Sequence, residues 1–153
     1  KPFIIGGGQE RNMRAGTENV YGIVGFAKAL EIAMRNYETD SATIRDLRAY
    51  MRDKIEASIE GVSFNCSPSS LYTVLSVCFP KNDKTEFLLM SLDMNSICVS
   101  GGSACSSGAD AGSHVMKALD KAGSHVTIRF SFSKFNTKDE VDRVVKKLME
   151  LVG

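Results

Sequence analysis

From Ser100 to Gly112 the chain carries only glycine, serine, alanine, one cysteine and one aspartate, with no apolar side chain larger than cysteine. Such a run has nothing with which to offset the entropy of ordering its backbone, so it forms neither a core strand nor a core helix. The fold must therefore be assembled from the segments on either side, with this run as a loop between them. Cys105 lies in its middle, where a thiol is expected to be accessible.

The flanking segments show helix and strand periodicity in alternation. Gly6–Thr17 is a loop on composition. Val20, Ile23, Val24, Ala27, Leu30 and Met34 then recur at helical spacing, with Thr17 near the cap. Gly22 and Gly25 weaken this helix by about 1 kcal/mol each, which close packing is expected to compensate. A second helix is expected from Asp40 or Ser41, with Ile44, Leu47, Met51, Ile55 and Ile59 on one face. Its other, Arg- and Asp-rich face reads as a solvated surface.

Gly61–Ser70, which contains Pro68, reads as a turn-rich connection, and Thr73–Phe79 as a mostly buried strand ended by Pro80. Asp83 with Glu86 suggests a capped short helix through Leu92. Ile97–Val99 and His125–Phe132 complete a three-stranded set, and Ser113 can cap a helix to about Lys121. The last helix is announced by a capping box over Thr137-Lys138-Asp139-Glu140, followed by Val141, Val144, Val145, Leu148 and Val152 on one stripe. Helices alternating with short strands predict an α/β (α+β) layer: helices packed on a three-stranded sheet.

Composition narrows the function classes. Nineteen Lys and Arg against 18 Asp and Glu leave a net charge of +1, so nothing favours nucleic acid or an anionic membrane as a direct partner. No apolar run is long enough to span a bilayer, and Lys1-Pro2-Phe3-Ile4-Ile5-Gly6 does not resemble a signal peptide, so a cytoplasmic location is expected. The cysteines, at 66, 78, 98 and 105, form no C-x-x-C pair, and His114 and His125 complete no zinc spacing, so no metal site is expected. Cys78 and Cys98 fall inside strand-like runs, where cysteine behaves as a small hydrophobe.

Three features can carry chemistry, each beside a structural alternative. Cys105 is either an incidental loop thiol or a nucleophile, the latter needing a cation or helix N-terminus nearby. The Gly6–Thr17 segment is either an ordinary glycine-rich turn or an anion nest, with the Thr17 hydroxyl facing a phosphate. Arg129, inside the strand Val126–Phe130, either points to solvent or binds a carboxylate through its planar fork.

Taken in order along the chain, Gly6-Gly7-Gly8-Gln9-Glu10-Arg11, Arg14-Ala15-Gly16-Thr17-Glu18-Asn19-Val20, Ser100–Gly108 around Cys105, and Ile128-Arg129-Phe130-Ser131 resemble the C-terminal part of a cysteine desulfurase of the NifS/IscS type. The resemblance implies a fold-type-I enzyme that uses pyridoxal 5'-phosphate (PLP), usually a homodimer, which converts L-cysteine to L-alanine. The sulfur is held as a persulfide for a sulfur acceptor or scaffold protein in iron–sulfur cluster or thio-cofactor assembly. It further implies Cys105 as the persulfide-forming nucleophile, Arg129 as the binder of the substrate carboxylate, and Thr17 as a contact to the PLP phosphate of the neighbouring subunit. On this resemblance residues 1–36 end the large PLP-binding domain and residues 37–153 form the small C-terminal domain. The family's Schiff-base lysine lies upstream of the glycine-rich segment, and Lys1 stands too close to Gly6 to be it. The chain alone is thus expected to be inactive and not to hold PLP. Two other readings are a selenocysteine lyase-like PLP enzyme and a non-catalytic module that docks a sulfur acceptor.

Overall fold

The computed structural model describes residues 1–67, 69–101, 114–119 and 123–153. They form two compact units, Lys1–Glu38 and Thr39–Gly153.

In the first unit, Phe3 N–H donates to Met13 O and Ala15 N–H to Ile4 O, at 3.3 and 3.1 Å, closing the glycine-rich stretch into a loop. Its single turn α1 (Gln9–Asn12) is left-handed, with φ of 46° at Glu10, 55° at Arg11 and 64° at Asn12. Each L-residue held there costs about 1–2 kcal/mol. Side-chain bonds brace it: Gly16 N–H donates to Gln9 Oε1 at 3.2 Å, and Arg14 donates to Gly16 O at 2.7 Å and Glu18 Oε2 at 2.5 Å.

Helix α2 (Val20–Ser58) is continuous through the stretch where two separate helices are expected. Residues 35–41 contain neither glycine nor proline, and the poorer helix formers among them cost only tenths of a kcal/mol each. Its cap is Asn19, whose Oδ1 accepts from Gly22 N–H at 3.0 Å, and not Thr17. A Cβ on Gly22 would meet that amide at 2.6 Å, whereas a Cβ on Gly25 meets nothing within 4 Å. The cap accounts for Gly22; no packing compensates Gly25 among the described residues.

In the second unit four strands, rather than three, form an antiparallel sheet in the order β1-β2-β4-β3. They are β1 (Ser63–Phe64), β2 (Val74–Pro80), β3 (Ser100–Gly101) and β4 (His125–Ser131). Strand β1 hides in the segment read as a turn, because two residues carry no periodicity. The third strand begins at Ser100 and not Ile97, since α3 (Leu88–Met94) is still closing there: Ile97 N–H donates to Leu92 O at 3.0 Å, and Ser96 has φ 58°. In this lead-in to the strand Ile97 is buried and Cys98 exposed, against the buried role expected of Cys98. Cys78 is buried as expected. The turn before α3 is set by Asn82, whose Oδ1 accepts from the N–H groups of Lys84 and Thr85 at 2.9 and 3.0 Å. The expected Asp83–Glu86 cap is not formed, and the helix starts at Leu88.

One sheet face is apolar. Leu75, Val77 and Phe79 of β2 and Ile128 and Phe130 of β4 pack with Ile44, Leu47, Met51 and Ile55 of α2, with Leu88 and Leu92 of α3, and with Val141, Val145 and Leu148 of α5 (Lys138–Val152). A short helix α4 (His114–Ala118) precedes β4. The capping box of α5 is present: Thr137 Oγ1 accepts from Glu140 N–H, and Glu140 Oε2 accepts from Thr137 N–H at 2.8 Å. Among the described residues no helix is long and apolar enough to cross a membrane.

Helices α2 and α5 are also tied at their surface. Asp142 Oδ1 accepts from Lys54 Nζ at 2.5 Å and from Tyr50 OH at 2.9 Å. The Lys54 bond, then the Tyr50 bond, holds the Asp142 carboxyl below its ordinary value, while Asp142 raises Lys54. A carboxylate lowered in the folded state contributes stability above its unfolded pKa and loses it as pH falls through the folded value. Asp142→Asn should therefore flatten the acid limb of stability in urea unfolding between about pH 7 and about pH 3. The variant should lose stability at neutral pH, by a small amount because the pair is solvent-exposed, and converge on the parent at low pH. An unchanged acid limb would assign the acid loss to other carboxylates.

Candidate functional site

Strand alternation builds the second sheet face from polar residues. With Ile128 and Phe130 in the core, Thr127 and Arg129 must point to the opposite side. The register places Ser76 of β2 and Ser100 of β3 on either side of Arg129, giving a Ser–Arg–Ser row across three strands. Two strand positions farther on, Cys78 faces Thr127, with Sγ 3.5 Å from Oγ1, and its sulfur accepts from Asn65 Nδ2 at 2.9 Å.

Arg129 is half-buried, and its Nε is enclosed without a hydrogen-bond partner. A guanidinium N–H left unsatisfied inside a protein costs about 1–3 kcal/mol. The small serines on both flanks offer that fork no carboxylate. What the arrangement supplies is a planar, positively charged group on the polar sheet face, with one enclosed, unpaired donor. Arg129 is thus partly withdrawn from solvent on the polar face, with its Nε enclosed.

Thr17 belongs to the first unit, where it is exposed on the irregular stretch between Gly16, at φ 104°, and the Asn19 cap. Arg129 belongs to the second unit. Each is described within its own unit, and Cys105 lies outside the described residues. Ser76 and Ser100 were not singled out in the sequence. Strand pairing alone identifies them, and only a register over Thr73–Phe79 and His125–Phe132 would have found Ser76. Among the described residues no group of three or more His, Cys, Asp or Glu side chains is placed to hold a metal ion.

Comparison with known proteins gives a consistent result. The sequence pattern of the aminotransferase class-V family matches residues 6–144. The chain is 38% identical over 159 residues to a cysteine desulfurase of Nostoc sp., covering 99% of this chain and 38% of that protein. It is 36% identical over 160 residues to the cysteine desulfurase NifS of Azotobacter vinelandii, covering 100% of this chain and 39% of that one. Among solved structures, a NifS-like protein of Rickettsia africae superposes with a TM-score of 0.75 at 28% identity, over 99% of this chain and 39% of its own. The chain thus spans less than two fifths of the curated relatives it matches.

The orphaned nitrogen makes a stability prediction that needs no ligand. Arg129→Met removes the enclosed, unpaired Nε while keeping much of the side chain's volume, and should stabilise the chain by about 1 kcal/mol. Urea unfolding of both proteins measures it. A loss of stability of similar size would mean that the guanidinium is held for the fold itself.

Proposed function

The chain belongs to the aminotransferase class-V family, and from that premise we propose that it is the C-terminal part of a PLP-dependent cysteine desulfurase of the NifS/IscS type. The observation that carries the reading is Arg129: a half-buried fork with an unpartnered Nε on the polar sheet face, flanked by Ser76 and Ser100. A charge-assisted bond from it to an amino-acid carboxylate satisfies the orphaned donor and orients the substrate in one step. The similarity to proteins named cysteine desulfurase, along nearly the whole chain, supports L-cysteine as that amino acid.

The remaining roles follow on this proposal. Thr17 presents an exposed hydroxyl on a loop braced by Gln9 and Arg14, which suits one phosphate oxygen of PLP, in a homodimer that of the neighbouring subunit. When bound, PLP supplies an electron sink that labilises bonds at the substrate's α- and β-carbons. The Schiff-base lysine would come from a region upstream of Gly6. Cys105 would take the substrate sulfur: a bond forms between its sulfur and that of cysteine as the carbon–sulfur bond breaks. The bond's electron pair would stay with the substrate's β-carbon, which takes up a proton, so that L-alanine would leave and a persulfide would stay on Cys105. A Gly/Ser/Ala segment suits a thiol that must both reach the substrate and deliver its sulfur outward to an acceptor for iron–sulfur or thio-cofactor assembly. The cytoplasm is the proposed location; relatives named mitochondrial, in Arabidopsis thaliana, and mitosomal, in Encephalitozoon cuniculi, mark the alternatives.

The test uses the complete enzyme. Cys105→Ser should keep PLP bound yet abolish alanine release and the persulfide-bearing peptide in mass spectra. Arg129→Ala should raise KM for cysteine by roughly 10- to 150-fold, the equivalent of losing one charge-assisted contact of about 1.5–3 kcal/mol. Normal turnover in the Cys105 variant, or a persulfide mapped to Cys66, would overturn the assignment of Cys105.

A further inference from the structure

The basic face of α2 is exposed at Arg45, Asp46, Arg52 and Asp53, as expected of a solvated surface, and its arginines also reach other parts of the chain. Arg45, Arg48 and Arg52 are spaced three and four residues apart and share one side of the helix. The Arg45 guanidinium lies 4.3 Å from the Tyr72 ring centre and that of Arg52 5.4 Å from Phe64, both within cation–π range. Arg48 donates from Nε to Val74 O at 2.9 Å, but its Nη2 is buried with no hydrogen-bond partner. Together with Arg129 Nε, it is one of two such orphaned side-chain atoms among the described residues.

Arg48 and Arg52 form part of the wall of a cleft of about 610 Å³, with Ser63, Phe64, Cys66 and Ser67 also on it. Glu56 is the carboxylate on that wall, and its contact with Arg52 is a 4.0 Å, solvent-exposed pair that neutralises little. Two guanidinium groups against one carboxylate leave the cleft with a net charge of about +1. Val62 and Phe64 give it an apolar side. A buried unsatisfied donor, one surplus positive charge and an adjoining apolar wall together define a ligand type. The head is a single negative charge with two acceptor oxygens, and the tail is a short hydrocarbon.

We propose that this cleft is a binding site for a small organic carboxylate, held by the Arg48 and Arg52 guanidinium groups that line it, with its carbon chain against Val62 and Phe64. The site goes beyond the proposed desulfurase chemistry, involves none of its assigned residues, and stands or falls separately from it. Cys66, on the same wall and partly accessible, provides a built-in reporter.

The test titrates the 153-residue chain with butyrate, with its neutral amide butyramide and with inorganic phosphate. It follows Cys66 alkylation by peptide mass spectrometry and the backbone amide shifts of residues 48–66. Butyrate should slow Cys66 alkylation saturably and shift those amides, and butyramide should do neither. Arg52→Gln should weaken the butyrate effect roughly tenfold, the loss of one charge-assisted contact. Because Arg52 is the more exposed arginine, this variant should keep the fold, as its unchanged amide spectrum without ligand would show. Phosphate protecting Cys66 where butyrate does not would overturn the carboxylate assignment. Equal effects of butyrate and butyramide, or none from either, would overturn the site.

Discussion

The pairing of β2 with β4 is the constraint on which the second unit depends. Its register runs from Val74 opposite Ser131 to Pro80 opposite His125 and sets Leu75, Val77 and Phe79 against Phe130, Ile128 and Val126 on the core side. A slip of one residue would carry Arg129 into the hydrocarbon and Ile128 out of it, so burial specifies the register strongly. The ends add their own stops. Phe132 N–H reaches Thr73 O at 2.8 Å at one end, and Lys81 N–H reaches Ser124 O at 2.9 Å beyond Pro80 at the other. The position of Arg129 between two serines is thus a by-product of how the core packs.

How much of this is legible in the sequence depends on whether the determining contacts are local. The capping box of α5 and its apolar stripe lie within one short segment, and the structure has them as read. The β2 and β4 segments stand out because apolar Leu75, Val77 and Phe79, and Val126, Ile128 and Phe130, recur at every second residue. Strand β1 does not, since its two residues are strands only by virtue of Cys78 and Val77 across from them. Cys98 was misjudged for a related reason: its orientation follows from where α3 closes, through Ser96, and not from the apolar character of its neighbours. The break expected near Asp40 fails because weak helix formers without glycine or proline slow propagation but do not stop it. The arginine row on α2 is exposed at Arg45 and Arg52, as a solvated face should be, whereas their ring partners, Tyr72 and Phe64, are not legible because they come from another part of the chain.

Within the first unit the balance of forces is different. Phe3, Ile5 and Tyr21 are 97%, 90% and 93% exposed, and none of its residues is buried. Apolar burial therefore contributes little to its order. Local bonds do the holding: Gln9 and Arg14 across the loop, Asn19 at the helix start, and the helix ladder itself. Local bonds of this kind are each worth about 1 kcal/mol, and they must also offset a left-handed turn at Glu10, Arg11 and Asn12. Strain of that sort persists only where the surroundings over-determine it, and the loop that carries Thr17 is where the hydrogen bonds are concentrated.

The two described site residues are consequently held by opposite means. Thr17 is positioned by hydrogen bonds on an exposed loop, so its placement is sensitive to substitutions at Gln9, Arg14 and Gly16. Arg129 is positioned by a core it does not touch, since Ile128 and Phe130, on the other face, fix the strand that carries it. The cost of its unsatisfied nitrogen falls on the same strand pairing that stabilises the unit. A sheet whose apolar face is densely packed can carry such a cost on its polar face, because the two faces alternate along each strand and draw on separate neighbours. That separation lets one short strand carry both a core face and a polar, charged face.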